Sequence, residues 1–114
     1  MMNLYMKLVK LIKKQRGTDE FCIDYETAKN MLNKEKDSIL IDVRSPQEYR
    51  EKHLYGSVNI PLFDFERGNY KIENKNKLII LYCEYGKRSK KVFNMLKKAG
   101  YTKVYQIDGG LDNI

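Results

Sequence analysis

The stretch Leu78-Ile79-Ile80-Leu81-Tyr82-Cys83-Glu84-Tyr85-Gly86-Lys87-Arg88-Ser89 decides how this chain folds. Four bulky apolar residues and a tyrosine in succession are the pattern of a strand buried on both faces. The run stops at Cys83, with Gly86 three residues on. Ser89 to Gly100 then reads as a helix, with Val92, Phe93, Leu96 and Ala99 on one side and Lys90, Lys91, Lys97 and Lys98 on the other. Strand, cysteine-led loop and helix place the thiol at the carboxyl end of a strand, facing the positive end of a helix. In an open α/β sheet that is where ligands bind.

Outward from this centre, strand and helix patterns alternate. On the N-terminal side, Phe21-Cys22-Ile23 reads as a short strand, Asp24 caps a helix to about Leu32, and Ser38 to Val43 is a second strand. Ala28, Met31 and Leu32 are expected to face inward, and Cys22 to be a small buried apolar residue. Ser45-Pro46-Gln47-Glu48 opens a helix ending near Lys52, with Ser at the N-cap, Pro at the first helical position and Glu closing a capping box. A turn and brief strand follow from His53 to Pro61. Leu62 to Phe65 forms a short helix or loop. On the C-terminal side Gly100 is placed as a helix C-cap, Lys103 to Ile107 is the last strand, and Asp108-Gly109-Gly110 opens a final turn. The alternation predicts an α/β domain: a mainly parallel sheet with helices on both faces.

The chain has 114 residues, enough for one core. Its net charge is +7, but Lys7, Lys10, Lys13, Lys14 and Arg16 all precede the first acidic residue, Asp19. Without them 17 basic residues face 15 acidic ones, net +2, so no nucleic-acid partner is indicated for the domain body. The spacing of Leu4, Tyr5, Leu8, Leu11 and Ile12 predicts a basic amphipathic N-terminal helix over residues 1–18, ahead of a domain over 19–114. That helix either packs on the domain with a solvated lysine side or serves a partner or membrane surface. No apolar run spans a bilayer, no signal peptide is read, and two distant cysteines indicate neither a disulfide framework nor a zinc site. A cytoplasmic setting without metal or cofactor is expected, as a monomer or homodimer.

A thiol is nucleophilic as its thiolate, and its ordinary pKa of ~8.5 falls to ~3.5–7.5 beside cations or at a helix N-terminus. The loop sets both influences beside Cys83. Amides from Glu84 onward can form a nest of donors, Gly86 relieves the curl this needs, and Lys87 and Arg88 add positive charge unless they turn to solvent. Glu84 opposes a thiolate if its carboxylate turns inward, so it is expected to point out. No base is spaced to serve Cys83, and the one histidine, His53, reads as a hydrogen-bonded structural residue. A Cys–His hydrolase requires that base. A reaction in which a ready thiolate displaces an anion, such as sulfur transfer from thiosulfate, does not.

Three motifs resemble those of the single-domain rhodaneses, a sulfurtransferase family. They are Ile41-Asp42-Val43-Arg44 with Glu48 and Tyr49, then His53 to Pro61, then Cys83 to Ser89 leading to Ala99-Gly100-Tyr101 and Gly109-Gly110. They follow the family's order over about residues 19–111. The resemblance implies the rhodanese fold, a five-stranded parallel sheet flanked by helices, with Cys83 carrying a persulfide. It implies that the amides of residues 84 to 88 and the hydroxyl of Ser89 surround that sulfur, making Glu84, Tyr85, Gly86, Lys87, Arg88 and Ser89 the substrate-binding loop. Asp42 and Arg44 are expected as structural support, an ion-pair network beneath the site. The implied donor is a small anion such as thiosulfate and the acceptor cyanide or a thiol. The alternative is a carrier or docking module with a protein sulfur donor or acceptor. Cysteine phosphatases of this superfamily use Cys-x5-Arg, whereas Arg88 follows Cys83 after four residues. The shorter loop favours a sulfur atom over a phosphate. The family pattern continues into a further helix beyond the double glycine, so this edge of the fold is expected to be looser.

Overall fold

The computed structural model describes residues 20–114. The predicted N-terminal helix lies outside them. Five strands form one sheet, β1 (Cys22–Ile23), β2 (Ser38–Asp42), β3 (Val58–Asn59), β4 (Leu78–Tyr82) and β5 (Lys103–Ile107), in the order β1-β5-β4-β2-β3. Every pairing is parallel. Four helices connect them: α1 (Tyr25–Lys34), α2 (Pro46–Glu51), α3 (Leu62–Glu66) and α4 (Lys87–Lys98). A 3-10 turn, Gly110–Asn113, follows β5. Among the described residues no helix is long and apolar enough to cross a membrane.

The apolar run takes the middle of the sheet, and all five β4 residues are buried. Alternate side chains of a strand point to opposite faces, so β4 feeds two cores. Ile79 and Leu81 pack with Ile41, Val92, Leu96 and Val104 on the α3–α4 side. Leu78, Ile80 and Tyr82 pack with Leu40, Ala28, Ile107 and Leu111 on the α1 side. Helices on both faces leave no water for either side of the strand, which is why its sequence is continuous rather than alternating.

The local signals place the helices closely. Ser45 Oγ accepts from the Glu48 amide while the Glu48 carboxylate accepts from the Ser45 amide, so the capping box is closed both ways. Asp24 caps α1 by accepting from the Thr27 amide. Three expectations need correction. Helix α4 starts at Lys87, two residues early, because Gly86 (φ 97°) makes the turn and supplies the N-cap. Ala99 is exposed: it lies past the last helical turn, where the 3.6-residue stripe no longer faces the sheet. Cys22 is half-buried, because β1 is a two-residue strand at the edge of the sheet, paired on one side only. Met31 and Leu32 do face inward, partly buried against the α1-side core.

Candidate active site

Cys83 ends the central strand and is 1% exposed. The chain turns over it and enters α4, so the helix begins on the sulfur. The Gly86 amide donates to Sγ at 3.0 Å and the Ser89 amide at 3.4 Å, with Ser89 Oγ 3.5 Å away. Two backbone N–H groups and the positive end of a three-turn helix thus converge on one sulfur, an arrangement that favours negative charge there. Of the loop amides expected around the sulfur, Gly86 is placed on it; the Ser89 amide, one residue past the expected stretch, is placed there too.

The double glycine lies against the back of the loop. A Cβ on Gly110 would fall 2.5 Å from the Cys83 carbonyl oxygen and 2.7 Å from the Glu84 carbonyl group. With the backbones this close, the Leu111 amide donates to Cys83 O (2.8 Å) and the Asp112 amide to Glu84 O (2.9 Å). The final turn, expected to be loose, clamps the loop from behind, and Leu111 is buried.

Asp42 and Arg44 lie at the carboxyl end of β2, beside β4, and are both buried. Arg44 donates through Nε to both Asp42 oxygens (3.1 Å each) and through Nη2 to Asp42 Oδ2 (2.8 Å). Nη2 also donates to Lys52 O, and Nη1 lies 3.4 Å from Glu84 Oε1. Glu84 is therefore not turned out to solvent, as expected, nor onto the sulfur: the buried guanidinium holds its carboxylate sideways. The His53–Pro61 segment is stitched to the same strand ends. Asn59 Nδ2 donates to the carbonyls of Asp42 and Arg44 (2.9 Å each). Tyr82 Oη accepts from the Leu54 amide and shares a hydrogen bond with Ser57 Oγ, both at 3.0 Å. Burial pushes the Tyr82 phenol up to about 12. His53 stacks on Tyr49 at 3.8 Å, and its Nδ1 lies 2.6 Å from the Tyr49 carbonyl.

The loop cations behave differently from one another. Lys87 is exposed, and Tyr85 is 71% exposed at the rim. Arg88 is not aimed at a bound anion: Nη1 and Nη2 donate to Glu48 Oε1 (2.7 Å) and Oε2 (3.1 Å). This pair ties α4 to α2 and accounts for the Glu48 carboxyl lying at about 2, chiefly through Arg88, and for the Arg88 guanidinium being raised. In the sequence Glu48 reads as a capping-box residue and as part of the first motif, with nothing to pair it with Arg88. Gln106 is the other partner that sequence reasoning misses: it is buried on β5, with Oε1 2.8 Å from Ser89 Oγ. A polar residue in register with buried Val104 was the available signal.

The family model for the rhodanese-like domain matches residues 24–114. Thiosulfate sulfurtransferase PspE of Escherichia coli is 39% identical over 75 residues, covering 65% of this chain and 71% of that protein. The tRNA uridine(34) hydroxylase of Buchnera aphidicola is 35% identical over 94 residues, covering 76% of this chain but only 30% of the hydroxylase. Among solved structures, a rhodanese with anions from E. coli superposes with a TM-score of 0.58 at 37% identity, covering 68% of this chain and 91% of that one.

Proposed function

The chain belongs to the rhodanese-like domain family, and from that premise we propose that it is a sulfurtransferase working through a Cys83 persulfide. The observation that carries this reading is the donor cradle. Sγ receives two amide hydrogen bonds at a helix N-terminus. Among the described residues no imidazole or carboxylate is hydrogen-bonded to it, and His53 is engaged with Tyr49. The thiolate is prepared by its surroundings, not by a base.

The cycle balances without an added proton or electron. Thiolate Sγ attacks the outer sulfur of thiosulfate, an S–S bond forms, the bond to the sulfonate sulfur breaks, and sulfite leaves with the electron pair. The persulfide anion then occupies the cradle. A thiophile such as cyanide attacks its terminal sulfur, thiocyanate leaves, and the thiolate returns. Because Cys83 is 1% exposed, the donor presents a terminal sulfur, not a bulky centre. In this reading Lys87 and Tyr85 form the rim, the Gly86 and Ser89 amides hold the sulfur, and Arg88, Glu84, Asp42 and Arg44 fix the loop's shape. An arginine held by Glu48 also argues against the phosphatase alternative, which needs that side chain on the phosphate.

Incubation with thiosulfate followed by intact mass measurement tests the proposal, together with sulfite release in the presence of cyanide. Wild type should gain one sulfur atom and Cys83→Ser none. Loading from a protein persulfide but not from thiosulfate would make the chain a dedicated carrier. Cys83-dependent hydrolysis of an aryl phosphate without sulfur loading would overturn the proposal.

A further inference from the structure

We infer that Gln106 is a positioning residue: its buried side-chain amide decides whether the Ser89 hydroxyl points its proton at Cys83 or away from it. The inference rests on the reading of Cys83 as a working thiolate, and deepens it.

Gln106 is 4% exposed near the carboxyl end of β5, on the face that packs under α4. An amide in that position is costly unless hydrogen-bonded, and a methionine would fill the same space without the cost. The amide meets the hydroxyl of Ser89, which is itself fully buried in the first turn of α4.

Ser89 Oγ carries one proton and has three acceptors near it: Gln106 Oε1 at 2.8 Å, Gly86 O at 3.1 Å and Cys83 Sγ at 3.5 Å. With the carbonyl of Gln106 facing Ser89, the proton goes to the nearest acceptor, Oε1. The lone pairs of Oγ then face the sulfur, ready to accept from S–H. That arrangement suits the neutral thiol and leaves a thiolate without its third donor. Turning the amide by half a rotation keeps its shape and exchanges acceptor for donor. Nε2–H now donates to Oγ, and the Ser89 proton is left to Gly86 O (3.1 Å) or Sγ (3.5 Å), of which a charged sulfur is the stronger acceptor. That arrangement suits the thiolate and the persulfide anion. When the thiol ionises its proton leaves to solvent; Ser89 and Gln106 keep theirs, and only the direction of their hydrogen bonds reverses, each polarising the next.

The test is the rate of Cys83 alkylation by iodoacetamide as a function of pH, a readout that needs no sulfur transfer. It is measured in the full chain for wild type, Gln106→Met, Ser89→Ala and the double variant. The charged groups around the loop remain paired with one another in every variant: Arg88 with Glu48, and Arg44 with Asp42 and Glu84. Lys87 stays at the exposed rim. Gln106→Met should move the midpoint of the profile upward by about half to one pH unit, the scale of one weakened hydrogen bond to a charged sulfur. With Ser89→Ala already in place, Gln106→Met should add no shift, because the two act through one hydroxyl. Gln106→Leu removes the amide without adding a charge; its shift should likewise appear only with Ser89 present, and it serves if the methionine variant fails to fold by circular dichroism. If Gln106→Met leaves the midpoint unchanged while Ser89 is present, or shifts it equally with Ser89 and with Ser89→Ala, the inference is overturned. If the coupling is seen but thiosulfate fails to load Cys83, the positioning role stands and the sulfurtransferase reading falls.

Discussion

Replacing Gly110 by alanine isolates what the double glycine does for the site. The residue has φ 67°, where a Cβ costs about 1–2 kcal/mol, partly offset by the stiffer unfolded chain. Gly68 has nearly the same φ, 69°, but nothing within 4 Å of its Cβ position, so Gly68→Ala measures that conformational cost alone, about 1 kcal/mol. At Gly110 the new methyl would sit 2.5 Å from Cys83 O, and side-chain carbons essentially never approach closer than 3.0 Å. The obstacle is backbone, so the loop or the final turn must retreat by about half an ångström, the difference between those values. The two amide bonds from Leu111 and Asp112 to the loop carbonyls weaken in consequence, each worth about 1 kcal/mol net. Overpacking adds about 1–3 kcal/mol. Gly110→Ala should therefore lose about 3–4 kcal/mol in urea unfolding, a large part of the ~5–15 kcal/mol a domain has. In the fraction still folded, Cys83 alkylation at neutral pH should slow, since the Gly86 amide moves off the sulfur. If Gly110→Ala loses no more stability than Gly68→Ala and alkylates like wild type, the clamp is not what shapes the loop.

Two further substitutions test the supports on either side. Glu48→Gln removes a carboxylate that accepts from Arg88 twice and from the Ser45 amide. Because the folded-state carboxyl lies at about 2, below its usual 4.5, its contribution is complete above about pH 4.5 and lost as pH falls toward 2. The variant should thus be less stable at neutral pH and show a flatter acid limb, by at most about 1 kcal/mol for a side chain 33% exposed. An unchanged acid limb would remove Glu48 from the account. Tyr82→Phe strips the acceptor from the buried Leu54 amide and should cost about 1–3 kcal/mol, with faster hydrogen exchange at Leu54. Unaltered exchange there would mean that the amide has another partner.

What the sequence disclosed about the fold came from signals that act locally. The β4 run is apolar at every position because both faces are covered, and Ser45 and Glu48 close a cap with groups three residues apart. The left-handed turn at Gly86 belongs to the same class, whereas the close approach of Gly110 to Cys83 joins distant segments and was not read from the sequence. What stayed hidden depends on packing between segments far apart in the chain. Arg88 reads as a loop cation until the fold brings α2 within reach and gives Glu48 a second role. Glu84 reads as an outward carboxylate until Arg44, forty residues earlier, is found buried with hydrogen-bonding capacity beyond Asp42.

These supports share one consequence for the sulfur. Among the described residues, both arginines near the loop are bound to carboxylates: Arg88 to Glu48, Arg44 to Asp42 and Glu84. Those carboxylates offset the cations, although Arg88 still interacts with charge on Cys83, and the fixed dipoles of the Gly86 and Ser89 amides are what touches the sulfur directly. In the proposed cycle, in which charge passes from Sγ to the terminal sulfur of a persulfide and back, dipoles held by a folded loop need no reorganisation. A free lysine or arginine on the sulfur would bind the anion more tightly, but it would also hold the sulfur against its acceptor. A cradle of neutral donors, with its cations tied down elsewhere, suits an atom that must be taken up and released in the same cycle.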